Sequence, residues 1–466
     1  MNIRIQSFGA TEGVTGSCHL LQVGKLKILV DCGMFQGLDE NKNYNPFPFD
    51  PRKIDYLILT HAHIDHIGRV PKLVRHGFRG KIISTKATKR IARIMLLDSA
   101  RVMLEEYKTQ YKKALRRGNP EDVKPPIYYE DDVYDAMEFF KIELDYHQPF
   151  YITDNIKITF FDAGHILGSA FVKFEIKEEN QIKTIVFSGD LGLKKRLIIK
   201  PIEPLKNADI VYVETTYANR KHKTLEETIE EFKNAILQSF KNGGNIVIPT
   251  FALERSQEIL FVLRQMYDEG ILPRCRVFLD SPLAISATKI FLQFPEAFND
   301  ETQNLIKRGI NPFVFPYLEF TQTVEESKKI NEITEGAIIL AGSGMCSGGR
   351  IKHHLKHNLW RKESSIIFVG YQAKGTLGRQ IIDKAKTVRI YNEEIAVKAK
   401  IYTINGFSSH ADQPVLFDWL KGSLDKLQTV YLIHGEKEVM KAFKDKLKNE
   451  LNVKSHIVKY GETIYI

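Results

Sequence analysis

The sequence is poor in cysteine: it has only four, Cys18, Cys32, Cys275 and Cys346, far apart and with no C-x-x-C pair. That spacing argues against a disulfide framework and against a cysteine zinc ribbon, and fits a reducing compartment. No apolar run approaches the ~18 residues that a membrane span needs, and the first residues, Met1 to Gln6, contain no apolar stretch of the signal-peptide type. A cytoplasmic protein without membrane association is the expectation. Internal repeats and low-complexity tracts are also missing.

What is present is ordinary for a folded chain: 466 residues, 43% hydrophobic and 27% charged, which suffices for about three domains and a sizeable core. Lys and Arg (67) outnumber Asp and Glu (57), giving a net charge of +10, which favours an anionic partner such as nucleic acid. Three zones follow from the patterning, with boundaries expected at 1–204, 205–390 and 391–466. The first carries short strands such as Lys27–Val30, Tyr56–Leu59 and Lys157–Phe160, and the last returns to them at Ala399–Thr403 and Thr429–Ile433. Between them strand and helix alternate. Thr224-Leu225-Glu226-Glu227 reads as a capping box opening a helix that stops near Gly243-Gly244. This alternation predicts a doubly wound, mostly parallel sheet in the middle zone.

The longest helical pattern runs over 87–117, with apolar residues at Ile91, Ile94, Leu97 and Val102. It ends in Lys112, Lys113, Arg116 and Arg117 before Gly118-Asn119-Pro120. Cations there complement the helix dipole, and the Gly and Pro stop the helix. The cluster reads either as a solvated helix end or as an RNA contact.

The most informative segment is His61-Ala62-His63-Ile64-Asp65-His66: four metal ligands in six residues, directly after an apolar strand. Imidazole and carboxylate suit zinc and similar ions, and a tight loop lets alternate side chains converge. Asp31, His165, Asp190 and His434 repeat the same context, a ligand-type residue at the end of a strand, often beside a Gly that lets the chain turn.

The order Asp31, His61-x-His63-x-Asp65-His66, His165, Asp190 resembles the motifs of the metallo-β-lactamase superfamily. Beyond it, Glu214 at a strand end, Ser408-Ser409-His410-Ala411-Asp412 and His434-Gly435-Glu436 resemble motifs A, B and C of the β-CASP family. Similarity extends through Pro249-Thr250-Phe251-Ala252, Arg255-Ser256-Gln257-Glu258 and Asp280-Ser281-Pro282-Leu283-Ala284. Thr215, Ala218 and Glu254 depart from the usual Ser, Gly and Gly. The branch it looks most like is that of the pre-mRNA 3′-end endonuclease and its compact prokaryotic relatives.

The resemblance implies an α/β fold, an αββα sandwich with an inserted β-CASP domain. It implies two Zn2+ ions, with Mn2+ or another divalent ion as the alternative. His61, His63 and His165 would hold one ion, Asp65, His66 and His434 the other, and Asp190 would bridge them. Asp31 would orient the loop. The implied activity is endonucleolytic hydrolysis of single-stranded RNA by a hydroxide activated between the two ions. His410 would act as acid, Glu214 would support it, and Asp65 would double as a proton acceptor. A His at position 434 favours RNA over DNA. Alternatives in the same frame are a 5′ exoribonuclease, a DNA nuclease, or a catalytically silent RNA-binding subunit. Gly342-Ser343-Gly344-Met345 leads into a helix and lacks the third Gly of a dinucleotide fingerprint, so no nucleotide cofactor is expected. Ser343, Gly344 and Met345 are read as gripping the RNA backbone, with Ser408, Ser409, Lys374 and Arg379 as further contacts. Monomer and homodimer both stay open.

Overall fold

The computed structural model describes residues 2–179, 181–373 and 375–466. The chain forms two compact units: Met1–Lys194, Pro201–Lys221 and His410–Ile466 make the first, and Lys195–Lys200 with His222–Ser409 make the second.

The first unit is built on two seven-stranded sheets. One runs, in spatial order, through strands Thr463–Tyr465, Ile3–Ser7, His19–Val23, Leu26–Val30, Tyr56–Ile58, Lys81–Thr85 and Ile142–Leu144. The other runs through Ser455–Ile457, Thr429–Ile433, Ile210–Glu214, Gln181–Phe187, Ala170–Glu178, Ile156–Asp162 and Phe150–Thr153. The two-residue period of a strand explains how one sequence serves two layers. Ile210 and Tyr212 enter the core shared by both sheets, with Ile5, Val30, Ile58, Phe160 and Phe187. Val211 and Val213 face the opposite way, onto helices Gln413–Lys421 and Lys437–Lys446. A strand buried on both faces must be apolar throughout, and Ile210–Val213 is.

Helix Lys86–Arg117 starts where Thr85 Oγ1 accepts from the Thr88 amide at 3.1 Å, and ends at Gly118 with φ 82°. Its expected apolar stripe is shorter than the pattern suggests. Ile91 is buried and Ile94 and Leu97 are partly buried, whereas Val102 is 48% exposed.

The second unit contains a six-stranded parallel sheet in the order Leu318–Phe320, Arg276–Asp280, Ala337–Ala341, Ile246–Pro249, Ser365–Phe368 and Lys400–Thr403. Thr224 and Glu227 form the reciprocal capping box of helix Leu225–Asn242, which stops at left-handed Gly243. Two strands fall outside the zones read from the pattern. Ile210–Glu214, expected to open the insert, pairs with Gln181–Phe187 and Thr429–Ile433 in the first unit. Lys400–Thr403, expected in the closing zone, pairs with Ser365–Phe368 in the second. Neither pairing leaves a local mark in composition.

One buried histidine belongs to the core. His19 Nδ1 lies 2.8 Å from Ser7 Oγ and its Nε2 3.3 Å from Ser17 Oγ, and burial pushes its pKa down to about 4. Unfolded, it would take up a proton near 6.5. The folded state therefore loses stability as pH falls from about 6.5 toward 4, by up to roughly 3 kcal/mol from this group. We expect His19→Gln to flatten that part of the curve, measured by urea unfolding at pH 7 and pH 4.5 against wild type. Parallel curves would exclude the effect.

Candidate metal centre

All seven ligand-type residues singled out by pattern come together in the first unit: Asp65 and His66 stand on the one-turn helix Ile64–Ile67, and the others at the end of a strand or in the loop just after one. Gly189 precedes Asp190 with φ 52°, and a Cβ there would meet Thr60 Cβ at 2.7 Å. Gly164 precedes His165 with φ 62°, and a Cβ there would meet the Ile202 amide nitrogen at 2.3 Å. Each glycine allows a turn and a close approach that a side chain would block. Asp31 and His434 adopt left-handed backbone without being glycine, at φ 59° and 49°.

Two ligand groups share one carboxylate. His63 Nδ1 lies 3.1 Å from His61 Nε2 and 3.2 Å from His165 Nε2, and Asp190 Oδ2 is 3.4 and 3.6 Å from the latter two nitrogens. On the other side, His66 Nε2 is 3.3 Å from His434 Nε2 and 3.3 Å from Asp190 Oδ1. Asp65 Oδ2 sits 3.4 Å from His434 Nε2. Asp190 thus presents one oxygen to each group. Ligands bound at about 2.0–2.1 Å in a tetrahedron stand roughly 3.3 Å apart, so the donors have the spacing of cation cages.

The protonation chemistry of the first group agrees. Burial holds the His61 and His165 imidazoles below their ordinary pKa and pushes His63 down to about 3, leaving neutral rings with lone pairs to donate. Asp190 Oδ1 is buried without a well-formed hydrogen bond, the His66 and His434 ring nitrogens standing 3.3 and 3.5 Å away, an expensive state for a carboxylate oxygen. Burial pulls His66 down, but Asp190 and Asp31 outweigh it and hold the ring well above its usual range. The residues present fit two divalent ions.

Asp31 works on His66. Its Oδ2 accepts from His66 Nδ1 at 2.6 Å, and its Oδ1 accepts from the Thr60 amide at 2.9 Å. Beside the ligands, His410 Nδ1 donates to Glu214 Oε1 at 3.3 Å and lies 3.9 Å from Asp190 Oδ2. Glu214 is fully buried, with its two oxygens accepting from the Leu191 and Thr216 amides at 3.1 and 3.0 Å. Burial lowers the His410 pKa, but the Glu214 carboxylate outweighs it and raises the ring to about 9.

Comparison with known proteins places this arrangement. Residues 11–221 match the metallo-beta-lactamase superfamily, 256–381 the Beta-Casp domain, and 394–458 the Zn-dependent metallo-hydrolase RNA specificity domain. Ribonuclease TTHA0252 of Thermus thermophilus is 40% identical over 94% of this chain and 95% of its own length. The chain belongs to the β-CASP family of the metallo-β-lactamase superfamily. Transcription termination factor FttA of Methanosarcina mazei is 30% identical over 99% of this chain and 71% of its own length; that of Pyrococcus abyssi is 31% identical over 93% and 67%. A protein of unknown function from Enterococcus faecalis V583 shares the fold, with a TM-score of 0.55 at 12% identity over the whole of both chains.

The β-CASP unit treats the other expected contacts differently. In the 342–350 loop, Ser343 Oγ accepts from the amides of Ser347 and Gly348 at 3.1 and 3.4 Å. The Cys346 and Ile351 amides donate to Ser343 O and Gly342 O. Gly344 is buried, its carbonyl accepting from Gln372 Nε2 at 2.8 Å, and Met345 O accepts from the Gly378 amide. The Ser347, Gly348, Cys346 and Ile351 amides thus bond within the loop. Arg379 pairs with Asp383 at 2.9 Å on a partly exposed helix. Ser408 and Ser409 end the second unit, next to His410 in sequence. Lys374 lies outside the described residues. In this β-CASP member no described helix is long and apolar enough to cross a membrane.

Two site residues escaped the sequence reading. Thr60 anchors Asp31, and Thr216 Oγ1 lies 3.2 Å from His434 Nδ1. Each adjoins a motif, and a hydroxyl residue flanking a ligand is the only signal. For Asp31→Asn, a replacement that tolerates the left-handed backbone, we expect metal to be held about 10–100-fold more weakly. Competition with a colorimetric chelator would measure it, and unchanged retention would exclude the orienting role.

Proposed function

We propose that the chain is a metal-dependent ribonuclease that cleaves single-stranded RNA internally, with two Zn2+ ions, or Mn2+ in their place, as its cofactors. The observation that carries this reading is the pair of ligand groups with Asp190 in the first and its Oδ1 3.3 and 3.5 Å from His66 and His434 of the second, and the His410–Glu214 pair beside them. His61, His63 and His165 would hold one ion, Asp65, His66 and His434 the other, and Asp190 both. Bound there, such ions make water acidic near neutral pH and offset negative charge on a phosphate.

The chain's own residues do the rest. Glu214, fixed by two amides, orients the His410 ring through Nδ1, which turns Nε2 toward the other side of the ring. From there His410 contacts the scissile phosphate and gives its proton to the leaving oxygen. Asp65, near His434, takes the proton released by the attacking water. Asp31 keeps His66 in one orientation through the 2.6 Å bond to Nδ1.

The relative matched over 95% of its own length is named a ribonuclease, which supports RNA hydrolysis. The relatives named termination factors extend further beyond the match, so termination is not carried over. A silent binding subunit would be expected to have lost ligands, and all seven are in place.

The test is incubation of a 5′-labelled single-stranded RNA, beside the matching DNA, with the metal-loaded protein. Internal RNA fragments that disappear with a chelator and return with Zn2+ or Mn2+ are expected. Mononucleotides alone would replace endonuclease by exonuclease, and intact RNA would sink the proposal.

A further inference from the structure

The second half of helix Lys86–Arg117 has a composition that the fold does not use. Between Tyr107 and Arg117 there is no acidic residue, while Lys108, Lys112, Lys113, Arg116 and Arg117 supply five cations. Among the described residues only Lys108 of these five has an ion-pair partner, Glu105 at 2.9 Å. Lys112, Lys113, Arg116 and Arg117 are exposed and form no ion pair among the described residues. Helical spacing sorts this segment into rows. Tyr107, Tyr111 and Leu115 stand four residues apart, and Lys108, Lys112 and Arg116 form the next row, one residue on. Residues four apart are neighbours on a helix surface, and like charges at that spacing destabilise it. The chain tolerates that repulsion on a face that packs against little: Tyr111 is 36% exposed and Leu115 53%, and Ala114 is the only buried residue in this stretch. The rings of Tyr107 and Tyr111 stay 5.6 Å apart.

Cations beside a half-buried and an exposed aromatic ring, Tyr107 and Tyr111, match a single-stranded polynucleotide, whose phosphates take the charge while its bases stack on the rings. The helix also connects this surface to the site. At its start, Thr88 Oγ1 donates to Gly168 O at 2.8 Å, in the loop that carries His165. From Thr88 to Lys112 the helix rises roughly 36 Å at about 1.5 Å per residue, the length of about eleven stacked nucleotides at ~3.4 Å each.

We propose that the end of helix Lys86–Arg117 is a docking surface for single-stranded RNA, separate from the metal centre. Lys112, Lys113, Arg116 and Arg117 take backbone phosphates there, and Tyr107 and Tyr111 stack on bases. The choice of RNA rests on the ribonuclease reading; the surface itself reads no 2′-hydroxyl, so matched single-stranded DNA docks there as well. Its effect is to favour long strands over short ones.

The test measures equilibrium binding of 30-nucleotide and 6-nucleotide single-stranded RNA to the full chain, with His410→Ala in every protein to slow cleavage. Lys112, Lys113, Arg116 and Arg117 are all changed to Gln, a good helix former, and circular dichroism checks that the helix persists. We expect the dissociation constant for the 30-mer to rise at least about tenfold. The salt slope of its logarithm should fall by about 0.7 per lost contact, up to roughly 2.8, and 6-mer binding should not change. Tyr111→Ala alone should weaken the 30-mer about fivefold or more without altering the slope, a result that does not depend on the quadruple variant folding. Arg116→Lys with Arg117→Lys should keep the slope. An unchanged 30-mer, or equal weakening of the 6-mer, overturns the proposal. So does a homodimer that the quadruple variant splits, which makes the face a subunit interface. Because the readout is binding, it separates from the cleavage test: a protein that cuts nothing can still show or lack this surface.

Discussion

His410→Ala should lower kcat for RNA hydrolysis by about 10²–10⁴-fold while bound metal stays at the wild-type level. The reason lies in how the ring is held. Its Nδ1 contacts the buried Glu214 carboxylate at 3.3 Å, whereas the donors at the three ligand histidines point at one another. His410 lies beside Asp190 as well, at 3.9 Å, and under the proposed reading it is the proton carrier and not a ligand. KM should move far less than kcat, because the lost step is proton donation in the transition state. Glu214→Gln should give a smaller loss of the same kind. Metal analysis by mass spectrometry alongside the kinetics is decisive. Loss of metal in His410→Ala would make the residue a ligand and remove the case for it as the acid.

The second large effect concerns stability of the β-CASP unit. Asp280 is fully buried and accepts four hydrogen bonds, from Thr321 Oγ1 and Arg350 Nη1 at 2.7 Å and from Ser327 Oγ and His354 Nε2 at 2.6 Å. Burial works against its charge, but these donors hold its pKa down at about 2. It ties strand Arg276–Asp280 to the helix that carries Arg350 at its cap and His354 within it. Asp280→Ala strands those groups without an anion, and breaking such a buried arrangement costs about 3–5 kcal/mol. For a unit of this size that corresponds to a fall in Tm of roughly 6–20 °C. Calorimetry of the full chain would resolve it, and a loss under about 1 kcal/mol would show that the surroundings accommodate the change. Asp280→Asn keeps two acceptor sites and should lose less.

The convergence of the candidate ligands was legible because its chemistry is written locally. His61 to His66 are contiguous in sequence, and Asp31, His165, Asp190 and His434 each follow an apolar run, so residue type and strand end together mark them. Helix Leu225–Asn242 was equally legible through Thr224, Glu227 and Gly243. What could not be read depends on which strand pairs with which. Ile210–Glu214 has the apolar run of any buried parallel strand, and nothing in it says that its neighbour is Thr429–Ile433. Lys400–Thr403 likewise gives no sign that it closes the sheet of the insert. In the 342–350 loop the sequence did not show that Ser343 Oγ takes the Ser347 and Gly348 amides. His19 has the residue type of a ligand, but two serines satisfy it in the core.

The discontinuous first unit also has a consequence for the order of events during synthesis. Six of the seven ligand residues have been made by Asp190, but His434 comes roughly 240 residues later, which at about 5–20 residues per second is some 12–50 s of translation. Strand Thr429–Ile433, which brings His434, pairs with Ile210–Glu214, and Arg4 pairs with Tyr465 across the first sheet. A nascent chain on the ribosome therefore holds an incomplete centre until the insert has been made and has passed out of the tunnel. An enzyme able to cut RNA would be assembled last beside the message that encodes it.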